Sequence, residues 1–519
     1  MNSFRTLLLL PIFSSSLMAA EPLHQQIDQL ILAQAEGKKP SSRTEDGEFL
    51  RRIYLDFAGK IPSTEEARKF LADPSTDKRA RLIERLLVAP EYARQMTDAI
   101  HLMYMERLGD HAEWTKYLQT SFEKNKPWNQ MAREILRADP KEEANRGASF
   151  FLAKRLDHYG QNAIDYPALT RDVGRLFLGK DFRCAQCHDH LFIKQYKQKD
   201  FQGLFAFFQN ASLQDLKSPM VAEKPTISKM SFMSVFNKMP KETGLMIPGG
   251  KEHDIPPQPK GEEYVIKPDP KKLTPGELKF SPLVILAEEL PKGDLFARNA
   301  VNRFWFLLVG RGIVHPLDLH HDDNPPSHSE LIDLLSKEFV GHQFDVKWLL
   351  KEIALSETYQ RSSRILKGEK PAPPESFLTG LEKRLSAEQL LASFLQASGS
   401  KPENMDNLKA RFLKAFANPP REPEEEFVPS LKGSLFLLND PTLLEMLNPK
   451  PGNLVDRLSK LTDPQVAEEL YLTILTRLPN EEEKKIVEGY LKKNASRRVT
   501  GLSQLAWALF ASTEFATNH

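Results

Sequence analysis

Apolar residues along most of this chain recur at helical rather than strand spacing. Leu82, Ile83, Leu86 and Leu87 form one stripe on an otherwise charged segment, which predicts a helix ending near Pro90. Just upstream, Arg51-Arg52-Ile53-Tyr54-Leu55-Asp56-Phe57 leads to Ile61-Pro62-Ser63-Thr64-Glu65-Glu66. Ser63 and Glu66 have the spacing of a capping box, so a second helix is expected to begin at Thr64.

The C-terminal part repeats this pattern. Leu470-Tyr471-Leu472 precedes Leu478-Pro479-Asn480-Glu481-Glu482-Glu483, with Asn480 and Glu483 placed as cap and box partner. A shorter echo joins Ala89-Pro90-Glu91-Tyr92-Ala93, Ser356-Glu357-Thr358-Tyr359-Gln360 and Ser512-Thr513-Glu514-Phe515-Ala516, each closing an apolar helical segment. These copies point to duplicated helical units, too few and too far apart for a solenoid. Leu331, Leu334, Leu335 and Phe339, and then Trp348 to Ile353, predict further helices, the first capped by a Ser327/Glu330 box.

Between Lys217 and Pro282 prolines recur and helical periodicity fades. Gly244 to Lys251 offers a turn between two short strands. The expected fold is therefore mainly α: two helical domains, 21–216 and 283–519, joined by an irregular, partly β connector at 217–282. The length of 519 residues fits more than one core.

Apolar residues make up 40% and charged residues 27%, the balance of an ordinary globular protein. Lys plus Arg (71) offset Asp plus Glu (70), so no global field attracts nucleic acid, and none is expected as a partner. Residues 1–20 read as an export signal: Arg5, an apolar stretch from Thr6 to Met18, and Ala19-Ala20 as the small-residue cleavage site. A periplasmic or secreted location follows. No later stretch approaches eighteen uninterrupted apolar residues, so no membrane span is expected after cleavage.

The only cysteines, Cys184 and Cys187, stand in Cys184-Ala185-Gln186-Cys187-His188. Cys-x-x-Cys-His is the pattern of covalent c-type haem attachment: two thiols add across two vinyl groups, and the adjacent histidine reaches the iron. Export agrees, because this attachment occurs outside the bacterial cytoplasm. Two other readings stand beside it. The cysteines can form a disulfide in an oxidising compartment, or Cys184, Cys187 and His190 can supply three zinc ligands with a fourth from elsewhere. For a haem, Met246 in the connector and His158 upstream are candidates for the sixth iron ligand.

Other stretches carry less chemistry. Phe201, Leu204, Phe205, Phe207 and Phe208 read as core, with one edge available to wall a haem crevice. Asn299 to Arg311 reads as a buried aromatic helix with a glycine stop. The cluster His320-His321-Asp322-Asp323 with His328 has metal-binding residue types, but its plainer reading is polar residues before a helix.

Taken together, these stretches resemble the secreted, cytochrome-like proteins of planctomycetes and their relatives, which carry two domains of unknown function in tandem. The N-terminal part of the resemblance rests on Arg52 to Asp56, Ile61-Pro62-Ser63, Leu82 to Tyr92, and Phe177-Leu178-Gly179 leading to Cys184 through His190. The C-terminal part rests on Phe296-Ala297-Arg298, Asn302 to Trp305, Gly310-Arg311-Gly312, Pro325 to Leu331, Arg384 to Gln389 and Leu437 to Asp440. Longer relatives carry an additional N-terminal cytochrome c-like domain that this sequence lacks, leaving Cys184, Cys187 and His188 as the single attachment point. The resemblance implies cytochrome-like character without naming a reaction.

Two functions are therefore expected to compete. One is an exported haem protein with an extracytoplasmic redox partner. The other is a non-haem structural or carbohydrate-associated binding protein, docking polysaccharide-associated proteins, with the cysteines as disulfide or zinc clip. A hydrolase at His320 to His328 lacks a recognisable nucleophile or metalloprotease spacing.

Overall fold

The computed structural model describes residues 21–138, 142–158, 163–269, 271, 274, 276–364, 370–422 and 431–519; the expected signal peptide, 1–20, lies outside them. The described residues are mainly helical. Their strands form only two-stranded antiparallel ladders, four of them between Ala211 and Leu278. The expected turn is there: Leu245–Met246 pairs with Glu252–His253 around it. No described helix is long and apolar enough to cross a membrane.

Local signals place several helices where the sequence predicts them. Leu82, Ile83, Leu86 and Leu87 form the buried face of the helix Lys78–Val88. Both expected capping boxes form, Ser63 with Glu66 at the helix Thr64–Ala72 and Asn480 with Glu483 at the helix Glu481–Lys493. The Ser327/Glu330 box does not. The helix Ser329–Gly341 starts after His328 without a side-chain cap, because Ser327 spends both its N–H (2.8 Å) and its hydroxyl (3.1 Å) on the Ile313 carbonyl.

The apolar side chains gather into two cores. The first runs from Leu23 to Leu378 and also takes Leu472, so it includes side chains from before and after the β region. The second takes residues from Leu385 to Phe515 and adds Leu55 and Ile61. The helix Asp46–Ala58 serves both: Phe49, Leu50, Ile53 and Phe57 enter the first core, while Leu55 enters the second. Buried all round, this helix has no solvated face for its polar residues, which must find partners inside.

Those partners explain the repeats. The Asp46–Ala58 helix ends at Gly59 in the left-handed region (φ 70°), and its counterpart Asp463–Leu475 ends at Thr476 (φ 63°); each leads into a boxed helix. The two units touch directly, through Thr64 Oγ1 and Thr473 Oγ1 at 2.8 Å. In two of the short echoes a serine hydroxyl accepts from the backbone N–H three residues on, Ser356 from Tyr359 and Ser512 from Phe515, each at 3.2 Å. The twin arginines bind those same segments. Arg51 donates to the carbonyls of Phe515 (2.8 Å) and Ile474 (3.3 Å), and Arg52 to those of Tyr359 and Arg361 (2.9 Å).

Complete burial pushes the Arg51 guanidinium down to about 10, against the opposing pull of Glu514, and it remains charged at neutral pH. Arg51→Met would strand several buried carbonyls. It is expected to cost ~3 kcal/mol in urea unfolding, whereas a loss under 1 kcal/mol would show that the clamp adds nothing.

Candidate functional site

The helix Tyr166–Leu178 carries the chain to the cysteine motif. Asp165 caps its start by accepting from Ala168 N–H at 2.9 Å, and Gly179, at φ 67°, ends it. Residues 179–181 then pair with 318–320: His320 N–H donates to Gly179 C=O (3.0 Å), and Asp181 N–H to Asp318 C=O (2.9 Å). A Cβ at Gly179 would lie 2.5 Å from His320 Cδ2 and 2.9 Å from Asn299 Oδ1, so this close approach requires glycine.

Cys184–Gln186 form a single turn of 3₁₀ helix, rooted by the buried Ala185. Arg171 donates to Gln186 Oε1 (2.6 Å), Gln202 to the Gln186 carbonyl (2.9 Å), and Val235 N–H to the Cys187 carbonyl (3.1 Å). Three neighbours thus fix the turn from beneath: the Tyr166–Leu178 helix, the Gln198–Phe205 helix, and the hairpin pairing Met230–Met233 with Pro240–Thr243. Both thiols are free and exposed.

The two motif histidines hold opposite tautomers. His188 Nδ1 is 2.6 Å from the Asp189 carbonyl, which can only accept, so in the neutral ring Nδ1 carries the proton and Nε2 the lone pair. Its ring packs 4.8 Å from Phe236. His190 Nδ1 instead accepts the N–H groups of Ile193 (2.9 Å) and Phe192 (3.2 Å), so in the neutral ring the proton sits on Nε2. His190 therefore organises the loop. Among the described residues no three His, Cys, Asp or Glu side chains are gathered as a metal site.

The remaining sequence candidates are dispersed. Met246 is buried against Gly203 of the Gln198–Phe205 helix. His158 is exposed after the helix Phe150–Leu156, 3.4 Å from the Leu156 carbonyl. His328 packs on Phe377 at 5.5 Å, while His321 faces Tyr196 at 5.7 Å. Phe201, Leu204, Phe207 and Phe208 are core.

Less legible in the sequence is a buried ionic network behind the motif. Arg175, in the last turn before Gly179, donates to both Glu106 oxygens at 2.6 Å and to Asp318 at 3.1 Å. Arg303, on the helix Asp294–Val309, also binds Asp318 and donates to the Arg175 carbonyl (2.9 Å). Arg155 binds Asp172 at 2.7 Å. Three arginines thus balance three carboxylates. Burial works to raise the Asp172 carboxyl, but Arg155 and Arg175 outweigh it and hold it below its usual value. Burial likewise opposes the charge on Arg175, and Glu106, Asp318 and Asp172 overcome it.

Glu106 and Arg303 also line a cavity of about 250 Å³ between the two cores, together with Asp98, whose carboxyl is pushed up to about 6 by burial and then by Glu388. His320, beside the network, is driven down to about 3, first by burial and then by Arg303.

A family model described as a protein of unknown function, PSCyt2 (DUF1549), matches residues 26–212, which include the cysteine motif. A second so described, PSD1 (DUF1553), matches residues 286–426, which include Arg303 and Asp318. The chain belongs to the proteins that carry these two domains in tandem. No curated protein and no solved structure matches it.

Two outcomes test this geometry. Gly179→Ala places a side chain in the left-handed region and against His320, and is expected to lower stability by about 2 kcal/mol in urea unfolding; an unchanged midpoint would contradict the close approach. Because His320 is neutral when folded and binds a proton readily only when unfolded, stability is full above about pH 6.5 and falls as pH drops from 6.5 towards 3. His320→Gln should flatten that fall by up to about 1.4 kcal/mol per pH unit in unfolding measured across the window. An identical slope in the variant would mean His320 is not neutral in the fold.

Proposed function

We propose that this is an exported c-type haem protein with an electron-transfer role, in which Cys184 and Cys187 hold the haem covalently and His188 binds its iron. The observation that carries this reading is the His188 tautomer. With Nδ1–H committed to the Asp189 carbonyl, the neutral ring keeps its Nε2 lone pair, and the turn just before it in sequence carries two exposed, unlinked thiols. Residue types and the hydrogen bond at Nδ1 therefore both suit the group. A c-type haem, when bound, supplies a one-electron redox couple. Cys184 and Cys187 would hold the group through thioether links, and Asp189 and Phe236 would orient the His188 ring towards it.

The zinc-clip alternative draws less support, because His190 spends Nδ1 on two backbone N–H groups and no third carboxylate or imidazole joins the cysteines among the described residues. The N-terminal pattern of Arg5, an apolar stretch and Ala19-Ala20 supports export to the compartment where haem is attached.

Co-expression with the c-type haem maturation machinery, followed by a haem stain on a denaturing gel and absorbance spectra, tests the reading. The wild type is expected to stain after denaturation, and Cys184→Ala/Cys187→Ala is expected to lose the stain while still folding and being exported. A folded, exported, colourless wild type would overturn the proposal.

A further inference from the structure

No residue of the cysteine motif lines the cavity between the two cores. Met96, Ala99 and Met103 enter it from the helix Pro90–Met105, Phe306 from the helix Asp294–Val309, Phe416 from the end of the helix Met405–Phe416, and Leu385 from beside the strand Lys383–Arg384. At about 250 Å³ it falls just below the roughly 300–1,000 Å³ of pockets for drug-sized ligands, so it suits a smaller occupant. One wall is polar and oriented. The strand Thr517–Asn518 pairs with Lys383–Arg384, and Asn518, 2% exposed, donates from Nδ2 to Asp56 Oδ1 at 2.8 Å. The amide cannot be turned over, because that would set its oxygen against the carboxylate. Asn518 Oδ1 is therefore left buried on the cavity wall with no partner among the described residues, a costly arrangement unless a donor arrives.

The charged residues on the walls divide cleanly. Lys383 spends its three protons on Asp56 (2.6 Å) and on the carbonyls of Leu307 (2.9 Å) and Leu308 (2.7 Å). Arg303 is taken up by Asn299, the Arg175 carbonyl and Asp318, and Arg384 reaches the Phe416 carbonyl at 2.9 Å. Asp56 and Glu106 are answered by Lys383 and Arg175. Asp98 and the exposed Glu382 have no hydrogen bond or ion pair among the described residues. Burial and then Glu388 push the Asp98 carboxyl up, while Lys409, Arg94 and His101 pull the other way. Lys409 and Arg94 are exposed and screened by solvent, His101 is bonded to Asp110 (2.9 Å), and Glu388 to Arg107 (3.0 Å). The charged groups left over are thus both carboxylates, and the orphaned amide atom is also an oxygen.

We infer that this cavity binds a small organic ammonium ion, its charge answered by the Asp98 carboxylate and its apolar body held among Met103, Phe306 and Phe416, with Asn518 Oδ1 as a second acceptor in the same space. This site is separate from the haem reading and does not depend on it. The unspent groups select the ligand. An anion would meet Asp98 and Glu382 where every lining cation is already engaged, and a neutral molecule would cover the Asp98 carboxylate without compensating it. An ammonium ion supplies both the missing charge and the missing donors, and charge-assisted hydrogen bonds of this kind are the stronger ones.

Isothermal titration calorimetry on the exported full chain at neutral pH tests this with three ligands of similar shape: 2-phenylethylammonium, 2-phenylethanol and 3-phenylpropionate. The ammonium ion is expected to bind at one site, the alcohol roughly tenfold more weakly, and the carboxylate not at all. Asp98→Asn should bring the ammonium ion down to the level of the alcohol and leave the alcohol unchanged, whereas Ala99→Phe, which fills the space, should abolish both. The ligand series on the unaltered chain decides the matter even where a variant fails to fold. No heat from the ammonium ion at millimolar concentration, an ammonium ion that binds no better than the alcohol, a carboxylate that binds best, or affinity undiminished in a folded Asp98→Asn chain would each overturn the inference.

Discussion

Arg175 holds the arrangement together. Its guanidinium sits in the last turn before the cysteine motif and bonds at once to Glu106 and to Asp318. Withdrawing an arginine this far from water is costly, and removing any one partner would strand a buried charge. Three arginines and three carboxylates therefore have to be satisfied together, which fixes Asp318 and, through the pairing of 318–320 with 179–181, the start of the motif loop. The position of Cys184 is set by residues on both sides of the β region.

The same logic operates at the helix Asp46–Ala58. Sharing it between two cores leaves Arg51 and Arg52 without solvent, and they resolve this by binding the backbone of the segments around Tyr359 and Phe515. Two of the three copies thus have a physical role: each presents a carbonyl to one of two adjacent arginines. Asp56 works similarly on the opposite turn, receiving Lys383 (2.6 Å), Tyr359 (2.8 Å) and Asn518 (2.8 Å), so the end of the chain is drawn back to its beginning.

Much of the helical architecture is legible in the sequence because it is decided locally. Ser63 and Glu66, or Asn480 and Glu483, lie three residues apart and satisfy each other wherever the chain goes. Ser327 and Glu330 have the same spacing, yet a distant carbonyl, Ile313, captures the serine. That competition is invisible in a window of four residues. The motif itself is legible because its chemistry is contiguous, whereas its support is not: Arg175 meets Glu106 and Asp318 across 69 and 143 residues, and nothing marks those carboxylates as buried. The nearest signal was Asn299 and Arg303, polar residues inside an otherwise aromatic helix. The exposed side chains around the motif escape notice for a related reason. Val235 and Phe236 fall in the irregular 217–282 stretch, and only the hairpin sets them beside Cys187 and His188.

What the network positions is a turn whose two thiols and one imidazole nitrogen are all free to react. Intact-mass measurement of the exported full-length protein, produced alongside the haem maturation machinery, addresses this most directly. The account predicts a mature chain heavier by one haem, with the added mass on the peptide containing Cys184 and Cys187 and both thiols blocked. A chain of unmodified mass, with two titratable thiols or a disulfide at those positions, would contradict it.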